Sequence, residues 1–189
     1  MIASDHPYYC LSRLYQKDDA VFHFSKYKYV ADTLFDEREA IMVSGAELTA
    51  EWVESTIQSL KPGFELALHS NVLIKNRTHH IPMIDFTLSG SITFDVIDRM
   101  RCFLPRSVML NLAIYESGRS FHAYSTALIR PKDWIEFMGR LLLINSNISP
   151  DIIDTRWIGH RLIGGFSSLR WSNNTKQYLG MPKRIRFPA

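Results

Sequence analysis

Cysteine is scarce: Cys10 and Cys102 are the only two in 189 residues, far apart and in no metal-ligand spacing. That excludes a disulfide framework and a cysteine-built zinc site, and it predicts free thiols in a cytoplasmic setting. Long apolar runs are missing too. None approaches the roughly 20 residues a membrane span needs, so no membrane partner is expected. The opening MIASDHPYYC lacks the basic-then-apolar pattern of a secretion signal. Internal repeats and low-complexity linkers are also absent. The composition is ordinary for a globular chain, 46% hydrophobic and 22% charged. We expect one domain over 1–189, with an N-terminal α/β part at 1–63 and a sheet core at 64–189 that carries the candidate site.

Acid is what the C-terminal end lacks. From Arg156 onward the chain holds Arg156, Arg161, Arg170, Lys176, Lys183, Arg184 and Arg186, and no Asp or Glu. The net charge of +3 is a weak hint of an anionic partner, and this concentration is a stronger one. A solvated basic tail is the bland alternative.

Periodicity predicts the elements. A short helix is expected near 7–16, with strands near 20–24 and 39–43. AEWVESTIQSL puts Trp52, Val53, Thr56, Ile57 and Leu60 on one helical stripe, capped by Thr49. FELALHS, VLIK and IPMIDFTL read as three strands, the last buried. Phe94, Ile97, Met100 and Leu104 are spaced for a helix, with Cys102 as a small buried hydrophobe. SVMLNLAIYES and SFHAYSTALI read as strands joined by the Ser117-Gly118-Arg119 turn into a hairpin. Pro131 opens a helix whose apolar face is Trp134, Phe137, Met138, Leu141 and Leu142. Ile152-Ile153-Asp154 is a short strand or turn, and SSLRWS a last strand. Strands mixed with helices predict an α+β fold, a mixed or antiparallel sheet covered by helices.

Three stretches could carry chemistry. In PMIDFTL, alternation places Asp85 and Thr87 on one face of a buried strand. An ionised carboxylate there needs a metal, a cation or hydrogen bonds, and backbone groups alone could supply the last. In SGRSFHAY, Ser120 and His122 share a face beside Arg119 and a flexible turn whose N–H groups suit an anion. A half-exposed histidine next to an ordinary turn is the plain alternative. In DIIDTRWIGHRLIGGFSSLRWS, Asp154 follows two isoleucines. Cations and the aromatics Trp157, Phe166 and Trp171 come after it, a pattern that suits phosphate contact and base stacking. Buried tryptophans under a basic surface are the alternative. His79 and His80 sit near a loop end and read as exposed and unliganded.

The order of these stretches resembles the archaeo-eukaryotic primase (primase-polymerase) superfamily: an hhhDhD motif, then S-x-H, then hD with basic residues downstream. IPMIDFT, SGRSFHAY and IIDTRW take those places over about residues 64 to 178. The resemblance implies an RRM-like core and a site for a nucleoside triphosphate and single-stranded or primed nucleic acid. Asp85 and Asp154 become ligands of Mg²⁺ or Mn²⁺ and, with His122, the catalytic set. Ser120, His122, Arg119, Arg161 and Arg170 become nucleotide-binding residues. The implied activity is that of a DNA or RNA primase or polymerase, a metal-dependent nucleotidyltransferase of replication, repair or defence.

Two departures matter. The second acid of the first motif is Thr87 here, and a hydroxyl holds hard cations poorly; Asp151 or Glu116 could compensate. The chain also leaves no room for a zinc module or helicase, so a partner subunit is expected. The alternatives are a degenerate subunit that binds nucleic acid within a larger complex, a metal-dependent nuclease, or a basic domain in which the acids and His122 never meet.

Overall fold

The computed structural model describes residues 1–15, 19–30, 33, 37–147, 149–175 and 177–185; Lys176 and Arg186 of the basic end lie outside the described residues. The fold is α+β, and every strand pairing among the described residues is antiparallel.

The first sheet is built from β1 (Val21–Lys28), β2 (Glu37–Ser44), β3 (Glu65–Ile74) and β4 (Arg77–His80), in the order β2-β1-β3-β4. FELALHS and VLIK are thus one strand rather than two. The chain turns back at Lys75 and Asn76, both with positive φ, the geometry a two-residue hairpin needs. β8 (Ser168–Arg170) pairs with the first half of β3, so Arg170 lies opposite Ala67. Helices α1 (Pro7–Tyr15) and α2 (Ala50–Gln58) complete this half. The Thr49 hydroxyl accepts from the Trp52 N–H at 3.1 Å and caps α2 as expected. Such a cap stabilises by about 1 kcal/mol.

The second sheet runs β5 (Met83–Asp85), β7 (Phe121–Ser125), β6 (Leu112–Glu116), β9 (Lys183–Arg184). Helices α3 (Phe94–Phe103), α4 (Arg106–Leu110), α5 (Pro131–Ile144) and α6 (Thr155–Gly164) accompany it. Two apolar cores result. One joins Phe22, Phe24, Leu66, Leu68 and Trp171; the other joins Ile84, Met100, Phe137, Leu141 and Ile153. Trp157 packs against both.

The β6–β7 hairpin forms where expected, with Glu116 opposite Phe121. Other expectations are corrected. The run SVML is α4, not strand, and SSLRWS is followed by β9. The buried stripe of α3 is Val96 and Met100, continued by Leu104. Spacing of four rotates Phe94 and Cys102 outward, and both are exposed. Leu142 is exposed on α5 for the same reason. His80 is buried rather than exposed: its Nδ1 lies 2.9 Å from the Ser70 hydroxyl, and its ring stacks on Trp134. Burial holds its pKa down at about 4, so it is a neutral core histidine.

Gly118 is where the hairpin turn demands glycine. Its φ is +107°, and an added Cβ would lie 3.0 Å from Leu179 N and 3.1 Å from Gly180 N. Gly63 has φ +85° but open space around it. We therefore expect Gly118→Ala to lower the thermal midpoint clearly more than Gly63→Ala, by roughly 1–3 kcal/mol of stability. Equal shifts in calorimetry would mean that the Leu179–Gly180 contact does not matter.

Candidate functional site

The two sheets meet where Ile81-Pro82 carries the chain from β4 into β5. Asp85 ends β5 and faces His122 of β7 across the ladder. Asp154 arrives from far along the chain and joins the same sheet. Ile153 bridges Phe86, and the Asp154 N–H donates to the Asp85 carbonyl at 3.0 Å. The two apolar-acid stretches of the sequence are thus adjacent backbones. Asp154 also caps α6, its Oδ1 accepting from the Trp157 N–H at 2.9 Å.

A cavity of about 340 Å³ opens at this junction. Asp85, Asp154, His122, Ser120, Arg119, Arg161 and Arg170 all line it. Its lining holds Lys28, Arg38, Arg119, Arg156, Arg161 and Arg170 against two carboxylates, so the charge is strongly positive. Such a concave field attracts a polyanion.

The floor is not an ion pair. His122 Nε2 is 3.7 Å from Asp85 Oδ1, too long for a hydrogen bond. Burial, and next the charge of Asp154, push the Asp85 carboxyl up to about 8, although 24% of that side chain is still exposed. Burial and then the Arg170 cation push His122 down to about 3. Near neutral pH His122 is therefore uncharged, and Asp85 holds its proton far more readily than a free carboxyl does. The buried His122 Nδ1 has no hydrogen-bond partner among the described residues.

The basic residues differ in what they can offer. Arg119 is exposed at the turn. Arg161 is buried on α6 and donates to the Ser168 hydroxyl at 2.9 Å. Arg170 is 3% exposed, and both its terminal nitrogens are committed to carbonyls: Nη1 to Ser172 and Gly180, Nη2 to Ser117. Its guanidinium lies 3.9 Å from the Tyr178 ring centre. It gives the cavity charge while it ties the hairpin turn to the C-terminal segment. Ser120 lines the cavity, and its hydroxyl donates to the Phe86 carbonyl, stapling the hairpin to β5.

Thr87 is exposed and lies outside the cavity lining, so the position of the second acid is turned away from it. Neither Asp151 nor Glu116 lines the cavity; Glu116 pairs with Lys183 at 3.1 Å. Of the three aromatics expected to stack bases, Trp171 is wholly buried, Phe166 stacks on His69, and only Trp157 reaches the cavity.

Sequence reasoning missed one whole wall. Tyr27 and Lys28 end β1, Tyr29 and Val30 follow it, and Arg38 comes from β2. It also missed Tyr178, on a segment anchored by Glu65. That buried carboxylate accepts from the Ser172 and Thr175 hydroxyls and from the Asn174 and Thr175 N–H groups. No motif marks these residues; the density of tyrosine and charge in the first forty positions is a signal for the Tyr27–Arg38 wall alone.

This architecture defines an α+β domain in which a sheet-borne pair of acids lies beside a histidine at the floor of a cationic cavity. The chain belongs to the archaeo-eukaryotic primase-like family: the family model described as AEP-like, archaeo-eukaryotic primase 1D-like, matches residues 44–183. That span takes in the hairpin, both acids and β8, and it begins after the Tyr27–Arg38 wall. Searches of curated proteins and of solved structures gave no match. No helix among the described residues is long and apolar enough to cross a membrane.

Proposed function

We propose that the cavity binds the triphosphate of a nucleotide together with a divalent cation, and that the domain serves primase-type nucleotidyl transfer on single-stranded or primed nucleic acid. The observation that carries this reading is the convergence of Asp85, Asp154 and His122 on one cationic cavity from three separate stretches of chain.

The donor set fits a metal that arrives with its nucleotide. Among the described residues no group of three or more His, Cys, Asp or Glu side chains is arranged to hold an ion. Two carboxylates alone suit Mg²⁺ or Mn²⁺, which keeps waters and takes phosphate oxygens as its other ligands. The upward push that Asp154 exerts on Asp85 is the repulsion a cation between them would relieve. When bound, the metal supplies charge neutralisation at the phosphoryl group and at the attacking hydroxyl. The chain's own residues do the rest. Arg119 and Arg161 hold phosphate charge, Arg170 adds a fixed positive field, and His122 presents an uncharged ring nitrogen for a hydrogen bond.

A second reading, binding without transfer, is favoured by Thr87 facing away from the cavity. Asp154→Asn separates fold from function, because asparagine caps a helix as well as aspartate does. We expect the variant to keep or slightly raise its thermal midpoint, the charge that pushes Asp85 up being gone, and to lose Mn²⁺-dependent nucleotide affinity by about tenfold or more, which is about 1.4 kcal/mol or more. Calorimetric titration gives the affinity, and incorporation on a primed template tells transfer from binding. Unchanged affinity in Asp154→Asn would remove the metal assignment.

A further inference from the structure

The cavity's aromatic residues are not equivalent. Tyr27 is buried, and the Arg38 guanidinium lies over its ring at 4.7 Å. Tyr178 lies against Arg170. Trp157 donates its indole N–H to the Ser168 carbonyl at 3.0 Å and packs into both cores. Each ring already has a structural task. Tyr29 is the exception: it lines the cavity, is 52% exposed, and has no ring or cation contact among the described residues.

Its surroundings deepen the contrast. Val30, next to it, also lines the cavity and is 41% exposed. Lys28, Arg119 and Arg156 line the same cavity and are exposed as well. A purely anionic ligand, such as inorganic phosphate, would use the cations and gain nothing from the apolar pair. An aromatic ring and a valine kept in water beside a cationic cavity match a ligand that joins negative charge to a flat apolar ring. Nucleotides and nucleic-acid strands share that chemistry.

We infer that Tyr29 is a nucleobase-stacking residue at the mouth of the cavity, with Lys28, Arg119 and Arg156 placed to meet the phosphates attached to that base. The inference rests on the nucleotide-binding reading above and assigns its base contact to the N-terminal wall, outside the span the family model matches. The base belongs either to the nucleotide or to the strand, and the ligands of the test tell the two apart.

The test compares wild type, Tyr29→Phe and Tyr29→Ala with three probes: adenosine triphosphate with Mn²⁺, inorganic triphosphate with Mn²⁺, and a short oligothymidylate. Stacking one base on an aromatic ring predicts that Tyr29→Ala weakens at least one base-containing probe by roughly 5- to 100-fold. Tyr29→Phe keeps the ring and stays near wild type. Inorganic triphosphate, having no base, binds all three proteins alike. Loss confined to adenosine triphosphate assigns the nucleotide's base; loss confined to oligothymidylate assigns the strand's. Tyr29→Ala binding all probes as wild type does, or losing inorganic triphosphate to the same degree, overturns the inference while the nucleotide reading stands. Wild type binding none of the three overturns that reading, and the inference with it.

Discussion

Asp85→Asn should raise the thermal midpoint of the chelator-treated protein, and the gain should widen with pH. The folded carboxyl titrates at about 8 because burial, and then Asp154, oppose its charge; in the unfolded chain it titrates near 3.8. Below the lower value both states are protonated, and Asp85 costs nothing. Between the two values the unfolded chain sheds its proton while the folded one keeps it. Stability present at low pH is therefore lost as pH rises through about 8. Each pH unit in that window costs about 1.4 kcal/mol at most. Asparagine has no proton to lose, so the variant escapes the slope. Above pH 8 the expected advantage is a few kcal/mol, on the order of 5–10 °C in a chain of this size. Mn²⁺ supplied together with a nucleoside triphosphate should narrow or reverse the ranking, stabilising wild type by mass action and the variant far less. Scanning calorimetry at acid and alkaline pH, with chelator and with Mn²⁺ plus the nucleotide, checks both halves. A difference that shrinks as pH rises would contradict the account of a carboxyl held neutral by its site.

The same residue shows what a sequence can disclose. Alternation placed Asp85 on a buried strand and Ser120 with His122 on a hairpin, because strand faces follow a period of two. Helix starts were legible for a similar reason: the Thr49 cap before AEWVE and Pro131 at the first position of α5 are local chemistry. Even Asp154 could be picked out, since an acid after two isoleucines is conspicuous. Its role as the cap of α6 could not, because TRWIGHRLIG has no clean apolar stripe. Arg161 lies on the buried face of that helix, where periodicity expects a hydrophobe. The run SVML carries no period that separates a five-residue helix from a strand, so local pattern alone does not disclose α4. The Tyr27–Val30 wall was out of reach for another reason. It reaches the cavity because β1 pairs with β3 and β3 with β8, and register across distant strands leaves no mark in local pattern. His80 shows the limit of polarity as a guide. A neutral imidazole with a serine hydroxyl and an indole face for company is a core residue, although it stands beside His79 near a turn.

Arg170 makes the most demanding case, because its charge and its hydrogen bonds do separate jobs. Arg170→Ala should destabilise the fold by about 3–5 kcal/mol, since each carbonyl left without its charged donor costs roughly 1–3 kcal/mol. Three carbonyls, at Ser117, Ser172 and Gly180, lose their donor together. Two of those carbonyls belong to different parts of the chain, so the hairpin turn and the Tyr178 segment should loosen at once. Arg170→Lys distinguishes the two jobs. An ammonium keeps the positive field but cannot span three acceptors or lie flat on the Tyr178 ring. We expect the lysine variant to lose about half as much stability, while Asp85 and His122 keep their titration. In Arg170→Ala, removal of the cation should let the His122 pKa rise and push Asp85 still higher, since Arg170 now lowers both. Denaturant unfolding measures the first effect, and imidazole NMR shifts against pH measure the second. If lysine restores full stability, the carbonyl clamp is not what holds the turn. If the His122 titration is the same in the alanine and lysine variants, the field of Arg170 does not reach the floor of the cavity.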